Sequence, residues 1–239
     1  MRLINNAILS TGLISRLKNL DLVLVFDGNS LTDGLNNSGQ SQYYPNEVRQ
    51  RIEPLVSSLV FHSMGVSGES TREMLLDVDT RVYPLAETGK TNVLIAWEDA
   101  NSIIKFANDS SGQNDNKVTP QENFADFEAY FSGATGFDKK ILITGYHPRK
   151  NVNGFYALNS TVFTDASIDE QEVFFNLVRD APIYSVPWDY VIDLRDLPKV
   201  GGLKGQNEDA AYFADYIHLQ LIGYDEIAFK VSNFLKQIL

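Results

Sequence analysis

The chain has 239 residues, of which 44% are hydrophobic and 21% are charged, so it can bury a core and is not a disordered or low-complexity segment. Its formal net charge is −11, which argues against nucleic acid or another phosphate-rich partner. It contains no cysteine, and this excludes disulfides, thiolate nucleophiles and zinc–thiolate or iron–sulfur sites.

Five short apolar runs predict the strands of a buried sheet. They are Leu22–Phe26, Leu59–Phe61, Val93–Trp97, Ile141–Thr144 and Tyr190–Leu194. A segment with helical spacing of apolar residues follows each run, and most of these segments open with a capping residue or a proline. The predicted helices begin near Pro45, Ser70, Thr119, Asp169 and Gly223. The order is therefore a strand followed by a helix, five times.

This alternation predicts an α/β fold, in which helices cover both faces of a parallel sheet and a ligand site lies at the carboxyl ends of the strands. Two polar stretches that follow strands, Ala107–Lys117 and Arg149–Ser167, are expected to be loops over that site. No internal repeat or shift in composition divides the chain, so we expect one domain over residues 1–239 with residues 1–20 as a lead-in segment.

Neither the apolar core of a signal peptide nor a run of about 18 apolar residues is present in the sequence. We therefore expect a soluble protein without membrane insertion. Its compartment stays open between the cytoplasm and an exported or virus-associated location, and its oligomeric state is equally open.

A serine follows the first predicted strand, in the sequence Gly28-Asn29-Ser30-Leu31-Thr32. On a tight turn between a strand and a helix, a serine hydroxyl is exposed beside outward-pointing backbone N–H groups. Ser30 is therefore a candidate nucleophile, and the alternative is that it only caps the next helix or turn.

A serine nucleophile needs a base, because its hydroxyl is hardly ionised at neutral pH. The chain offers three histidines, His62, His147 and His218, and only His218 has an acid three residues before it, Asp215. A carboxylate in that place can hold Nδ1 of the imidazole and leave Nε2 facing the serine. Such spacing also arises by chance, and it gains weight because this pair directly precedes the final helix.

Acyl transfer also requires hydrogen-bond donors for the oxyanion. The turn after the second strand contains Gly65 and Gly68, and a backbone N–H there can point at an anion. After the third strand comes Asn101, whose side-chain amide can donate. The alternatives are that the glycines serve only backbone geometry and that Asn101 belongs to an ordinary turn.

Together these strand-end blocks resemble the SGNH hydrolase family, also called GDSL-type esterases and lipases, over residues 22–239. The first block of the family matches Gly28-Asn29-Ser30-Leu31-Thr32, the second matches Gly68, the third matches Asn101 and the fifth matches Asp215 with His218. The resemblance implies a three-layer α/β/α sandwich with a five-stranded, parallel, doubly wound sheet of the flavodoxin-like type. It further implies a catalytic triad of Ser30, Asp215 and His218, and an oxyanion hole formed by the Ser30 N–H, the Gly68 N–H and the Asn101 amide.

The chain departs from the family pattern near this site. Asn29 replaces the usual aspartate before the nucleophile, Glu98 is taken to replace the glycine of the third block, and Ser102 replaces the aspartate after Asn101. None of these changes removes a group that makes or breaks bonds. Acidic residues beside the oxyanion site should disfavour anionic substrates; the alternative is that Glu98 and Asp99 are ordinary solvated acids of a loop. The candidate substrate-binding residues are Asn29, Trp97, Glu98 and Asp99.

The sequence thus predicts a serine esterase that acts through an acyl-enzyme on a small-molecule or glycan ester, with no metal and no organic cofactor. Removal of acetyl groups from a carbohydrate is favoured, because the polar insertions carry no apolar lid for a lipid surface. The aromatic residues considered for stacking on sugar rings are Trp97, Phe155, Tyr156 and Trp188; the alternative for each is core or loop packing.

Three other functions remain open at this point. One is a non-catalytic carbohydrate-binding or structural module on the same fold, and another is a lysophospholipase or short-chain lipase. A third is a divalent-metal site for phosphoester chemistry built from Asp27, Asp99 and Asp193.

Overall fold

The computed structural model describes residues 16–34, 43–104, 118–146, 165–182, 184–201, 212–213 and 218–239. Within them lie five strands, namely β1 (Asp21–Gly28), β2 (Ser58–Ser63), β3 (Thr91–Trp97), β4 (Lys139–Thr144) and β5 (Tyr190–Asp193). The strands are parallel and form one sheet in the order β2-β1-β3-β4-β5. This order confirms the predicted doubly wound, flavodoxin-like sheet.

Six α-helices lie in the described part of the chain, namely α1 (Ser30–Asp33), α2 (Tyr44–Ile52), α3 (Thr71–Arg81), α4 (Pro120–Gly133), α5 (Asp165–Asp180) and α6 (Leu221–Ile238). Each of the five predicted helices is present. Helix α5 begins before the predicted Asp169, inside the stretch Arg149–Ser167 that was expected to be loop, because the apolar stripe that reveals a helix starts only at Ile168. The other predicted loop, Ala107–Lys117, lies outside the described residues.

Two of the helices begin with reciprocal caps that the sequence encodes. At α3, the Ser70 side chain accepts from the backbone N–H of Glu73, and the Glu73 carboxylate accepts from the backbone N–H of Ser70. Thr119 and Glu122 form the same pair at α4, where a proline occupies the first helical position. These caps satisfy N–H groups that have no partner within the helix and fix where each helix starts.

The core has two halves, one on each face of the sheet, and successive residues of β1 enter opposite halves. Leu22, Leu24 and Phe26 pack with α2 and α6 on one face, whereas Val23 and Val25 pack with α3, α4 and α5 on the other. Both faces are buried, which explains why the strands read as continuous apolar runs. The result is the three-layer α/β/α sandwich that was expected.

The chain reverses its winding direction between β1 and β3, and this places a crevice at the carboxyl ends of those two strands. Gly28 ends β1 opposite Trp97 with φ +153°, and a Cβ atom there would lie 2.3 Å from the Trp97 carbonyl oxygen. Only glycine permits this approach of the two strand ends. The loops after β1, β2 and β3 therefore meet at one place.

Of the predicted lead-in segment, only residues 16–20 are among those described. Leu17 is buried with the α2 and α6 half of the core. Across the described ranges, no helix combines the length and the apolar character that crossing a membrane would need.

Candidate active site

Ser30 lies on the turn between β1 and the short helix α1. Asn29 caps this helix, since its side-chain oxygen accepts from the backbone N–H of Leu31 at 2.9 Å, and Gly34 N–H donates to the Ser30 carbonyl at 2.9 Å. Ser30 is the first helical residue and is 7% exposed. Its side chain is therefore held on a rigid turn at the edge of the sheet, as the nucleophile prediction requires.

The Ser30 hydroxyl is 3.0 Å from His218 Nε2, and the two residues are 188 positions apart in the chain. This distance suits a serine that passes its proton to an imidazole. The predicted orienting residue, Asp215, lies outside the described residues, as does His147. His62 lies within β2, opposite Val25, so of the described histidines it is His218 that the fold brings to the serine.

The loop after β2 packs against the turn that carries Ser30. Val66 N–H donates to the Gly28 carbonyl at 2.8 Å, and the Ser67 hydroxyl donates to the Asp33 carboxylate at 2.7 Å. Gly68 follows with φ +87°, in the left-handed region that strains other residues. The second predicted block therefore packs against the first.

Asn101 belongs to a π-helical turn, Ala100–Ile104, directly beyond β3. Such turns occur often at functional sites. One N–H of its side-chain amide donates to the Glu69 carbonyl at 3.0 Å. The amide is therefore fixed beside the residue that follows Gly68, and the three predicted oxyanion donors come from segments that contact one another.

Glu98 lies at the centre of these contacts and is fully buried. Its Oε1 accepts from Asn29 Nδ2 at 3.1 Å and from the Asn101 backbone N–H at 2.6 Å. Its Oε2 accepts from the Thr71 hydroxyl at 3.2 Å, and from both the backbone N–H and the hydroxyl of Ser102. Burial raises the pKa of Glu98, while the donors around it oppose that rise.

The prediction that Asn29, Trp97, Glu98 and Asp99 contact the substrate is corrected by this geometry. Each of the four side chains is at most 2% exposed. Trp97 packs edge-on against Tyr44 and Tyr146. These residues support the site from within and present no open surface.

Two further expectations about this region change. Trp188, another candidate for sugar stacking, is buried against Phe124 and Phe131, whereas Phe155 and Tyr156 lie outside the described residues. In the third block of the family, Gly-x-Asn-Asp, the glycine stands two positions before the asparagine. Counted back from Asn101, that position is Asp99 and not Glu98.

Asp99 points away from the serine, toward β4 and α5. Its carboxylate accepts from the Gly145 backbone N–H at 2.6 Å and from Gln171 Nε2 at 3.0 Å. Burial, followed by the nearby charge of Glu98, raises the pKa of Asp99 to about 7. The folded protein therefore keeps a proton on this carboxyl at pH values where the unfolded chain has lost it.

This raised pKa predicts how stability changes with pH. From about pH 4 to about pH 7 the folded state binds the Asp99 proton more tightly than the unfolded state, so the free energy of unfolding falls as pH rises. Asp99→Asn should remove that contribution, because an amide does not titrate. Once the Gln171 amide has flipped, the new side chain can donate to Gln171 Oε1, which has no partner among the described groups. The melting temperature of Asp99→Asn relative to wild type is expected to rise between pH 5 and pH 8.

The measurement is thermal unfolding of both proteins across that range. Asp180→Asn is the control, because the Asp180 carboxyl is fully exposed and its pKa is lowered by Arg179. A melting-temperature difference for Asp99→Asn that stays constant from pH 5 to pH 8 would contradict the assignment.

Arg81, at the end of α3, forms a buried ion cluster that the sequence did not reveal. Its guanidinium donates to Asp27 at 2.9 Å, to Glu69 at 3.0 Å and to Asp77 at 3.0 Å, and also to the Met64 carbonyl. Of these contacts, only the spacing of four between Asp77 and Arg81 is a sequence signal. The cluster ties α3 to the end of β1 and to the loop that holds Gly68.

The carboxylates of this cluster have unusual proton affinities. Burial raises the pKa of Asp27 to about 6, against the lowering effects of Arg81 and of the Tyr130 hydroxyl, which donates to Asp27 at 2.7 Å. Burial likewise raises the pKa of Glu69 to about 8, with the neighbouring acids adding to the rise and Arg81 opposing it. The single positive charge of Arg81 therefore does not fully offset the effect of burial on the pKa values of these carboxyl groups.

The alternative metal site would need Asp27, Asp99 and Asp193 to converge. Instead, Asp27 pairs with Arg81, Asp99 contacts Gly145 and Gln171, and Asp193 pairs with Arg195. Among the residues that the structure describes, no group of three or more His, Asp or Glu side chains is placed to hold a metal ion.

The fold is shared with solved hydrolase structures. An acetylxylan esterase from Geobacillus stearothermophilus aligns with a TM-score of 0.64 at 14% identity, covering 91% of this chain and 95% of that one. An α/β hydrolase from the metagenome of Lake Arreo in Spain aligns with a TM-score of 0.63 at 19% identity, covering 90% and 96%. A GDSL-like lipase from Bacteroides thetaiotaomicron aligns with a TM-score of 0.58 at 17% identity, covering 91% and 89%.

These likenesses confirm, at the level of the fold, the resemblance to GDSL-type hydrolases that the sequence blocks indicated. No sequence-family model matches the chain, and no curated protein matches it by sequence. The likeness therefore lies in the fold and not in the overall sequence.

Proposed function

We propose that the protein is a serine hydrolase of carboxylic esters, with Ser30 as nucleophile and His218 as general base. The observation that carries this proposal is the 3.0 Å contact between the Ser30 hydroxyl and His218 Nε2 at the carboxyl edge of the sheet. A serine that only capped a helix would have no need of an imidazole held against its hydroxyl. The neighbouring Gly68 and Asn101 segments add the donors that acyl transfer requires.

In this mechanism His218 takes the proton of Ser30 as the hydroxyl oxygen attacks the ester carbonyl. The Ser30 N–H, the Gly68 N–H and the Asn101 amide hold the developing oxyanion, and the protonated imidazole gives its proton to the leaving alcohol. Water then attacks the acyl-enzyme by the same route and regenerates the serine. Asp215 is proposed to orient His218, on the strength of its spacing alone.

The proposed substrate is a carbohydrate that carries acetyl groups. An acetylxylan esterase shares this fold across nearly its whole length, which supports an acetyl ester over a long-chain one. The formal net charge of −11 also favours a neutral glycan ester over an anionic lipid surface.

The test combines covalent labelling with a substrate series. Wild type is treated with a fluorophosphonate and the modified peptide is identified by mass spectrometry, with Ser30 expected as the labelled residue. Hydrolysis of p-nitrophenyl acetate, butyrate and octanoate is then compared with acetate release from acetylated xylooligosaccharides, with and without a chelator.

We expect turnover to be highest for acetyl esters and unaffected by the chelator. A preference for octanoate would indicate that the protein is a lipase and not a glycan esterase. If Ser30 were not labelled, or if no ester were hydrolysed, the remaining hypothesis would be a carbohydrate-binding module, and a glycan-binding assay would then test it. Loss of hydrolysis with the chelator would indicate metal-dependent chemistry instead.

A further inference from the structure

The buried Glu98 side chain accepts hydrogen bonds from both the nucleophile turn and the oxyanion asparagine. We propose that Glu98 is a positioning residue, which fixes the Ser30 turn and the Asn101 amide relative to each other. This inference rests on the proposed function and adds to it a residue that touches neither substrate nor reacting atoms.

A single oxygen atom makes the connection. Glu98 Oε1 accepts at once from Asn29 Nδ2 and from the Asn101 backbone N–H. Asn29 immediately precedes Ser30, and its side-chain oxygen accepts from the N–H of Leu31, the residue after Ser30. An unbroken set of hydrogen bonds therefore runs from both sides of the nucleophile to the oxyanion donor.

The other carboxylate oxygen joins the third segment of the site. Glu98 Oε2 accepts from the hydroxyls of Thr71 and Ser102, and Ser102 in turn accepts from the Thr71 backbone N–H at 2.9 Å. Thr71 is the first residue of α3, three positions after Gly68. All three segments that would supply oxyanion donors are thus attached to one carboxylate.

The free-energy cost of burying the Glu98 carboxylate indicates that its hydrogen bonds serve to orient the segments of the site. A fully buried carboxylate loses its hydration, and an apolar side chain of similar size is usually no worse for stability. Every described partner of Glu98 belongs to a segment of the candidate site. A residue kept only for packing would not need five donors that converge from three strand ends.

The first test is a pair of Glu98 variants measured per active site. Glu98→Ala removes all the contacts and is expected to lower kcat about 100-fold with little change in KM, since small misplacement of reacting groups costs about that much. Glu98→Gln keeps an acceptor for Asn29 and Asn101, and the hydroxyls of Thr71 and Ser102 can turn to accept from its amide. It loses only the longest contact, from the Ser102 backbone N–H at 3.3 Å. It should therefore retain kcat within about tenfold of wild type.

Rates are divided by the fraction of molecules that a fluorophosphonate labels, so that misfolded protein does not count. Val178→Ala is the matched control, because Val178 is buried in α5 away from the site; it should lose stability but keep its rate per labelled serine. If Glu98→Ala does not fold, Asn29→Ser replaces it, since serine keeps the helix cap but loses the contact with Glu98.

The second test asks whether Glu98 acts through Asn101. Asn101→Ala should lower kcat about 10²–10³-fold, as for loss of one oxyanion donor, and adding Glu98→Ala should lower it little further. The positioning role would be overturned if the fold-losses in kcat of the two single variants multiplied fully in the double variant. It would also be overturned if Glu98→Ala and Asn29→Ser both kept the wild-type rate per labelled serine. A wild type that neither labels nor hydrolyses esters would overturn the proposed function itself, and the two failures are therefore distinguishable.

Discussion

Ser30→Ala is expected to lower kcat for p-nitrophenyl acetate about 10⁵–10⁶-fold, the loss found when the nucleophile of a serine triad is removed. The alanine has no hydroxyl to attack the carbonyl, and His218 then has nothing to deprotonate. His218→Ala should be nearly as damaging, and the double variant should be no worse than either single one, because the two residues act as a unit.

The measurement is steady-state hydrolysis with a correction for the uncatalysed rate. Ser58→Ala is the control, since the Ser58 hydroxyl also has a side-chain partner, the Asp21 carboxylate at 2.6 Å, but Ser58 lies where β2 begins, at the opposite end of the sheet from Ser30. It should hydrolyse the ester at the wild-type rate. Ser30→Ala with more than one tenth of the wild-type turnover would remove Ser30 from the mechanism.

Arg81→Met is expected to lower the free energy of unfolding by about 3–5 kcal/mol at pH 8, because it strips two buried carboxylates of their cation. For a chain of this size that loss corresponds to a melting temperature about 6–20 °C lower. Asp27 and Glu69 each contact the Arg81 guanidinium; without it the Asp27 carboxylate is buried and unpaired at pH 8, and so is Glu69 in those molecules in which it is ionised.

The loss should be smaller at pH 5, and the sign follows from the raised pKa values. The pKa of Asp27 is about 6 and that of Glu69 is about 8, so both carboxyls are largely protonated in the folded protein at pH 5 and need no cation. Arg49→Met is the control, since its ion pair with Glu53 is exposed and worth about 0–1 kcal/mol. An equal loss at pH 5 and pH 8 would argue against this account of the cluster.

The fold was predictable from sequence because both faces of the sheet are covered. Burial on both faces makes each strand a continuous apolar run, and each helix has an apolar stripe that starts near a capping residue or a proline. The elements that escaped prediction are short. Helix α1 is a single turn, and the π-helical turn Ala100–Ile104 carries no periodic signal of its own.

The candidate site was predictable only in part, for a related reason. The parallel α/β topology places a ligand site at the carboxyl ends of the strands and before the last helix. The residues in those places are Ser30, Gly68, Asn101 and His218. The supporting residues carry no such marker, because the contacts of Glu98 and Arg81 depend on distances in space. In sequence, acidic residues after a strand resemble solvated loop residues that could meet a substrate, and only the structure shows that Glu98 and Asp99 are buried.

The separation of 188 positions between Ser30 and His218 has a consequence for the chain as it is synthesised. Ser30 leaves the ribosome long before His218, its proposed base, has been made, so the emerging polypeptide carries an ordinary, unreactive serine. The proposed hydrolysis would become available only when α6 docks on the sheet and His218 comes into place. Catalytic activity would thus be a measure of the last step of folding, and a molecule that stopped before that step would have no activity.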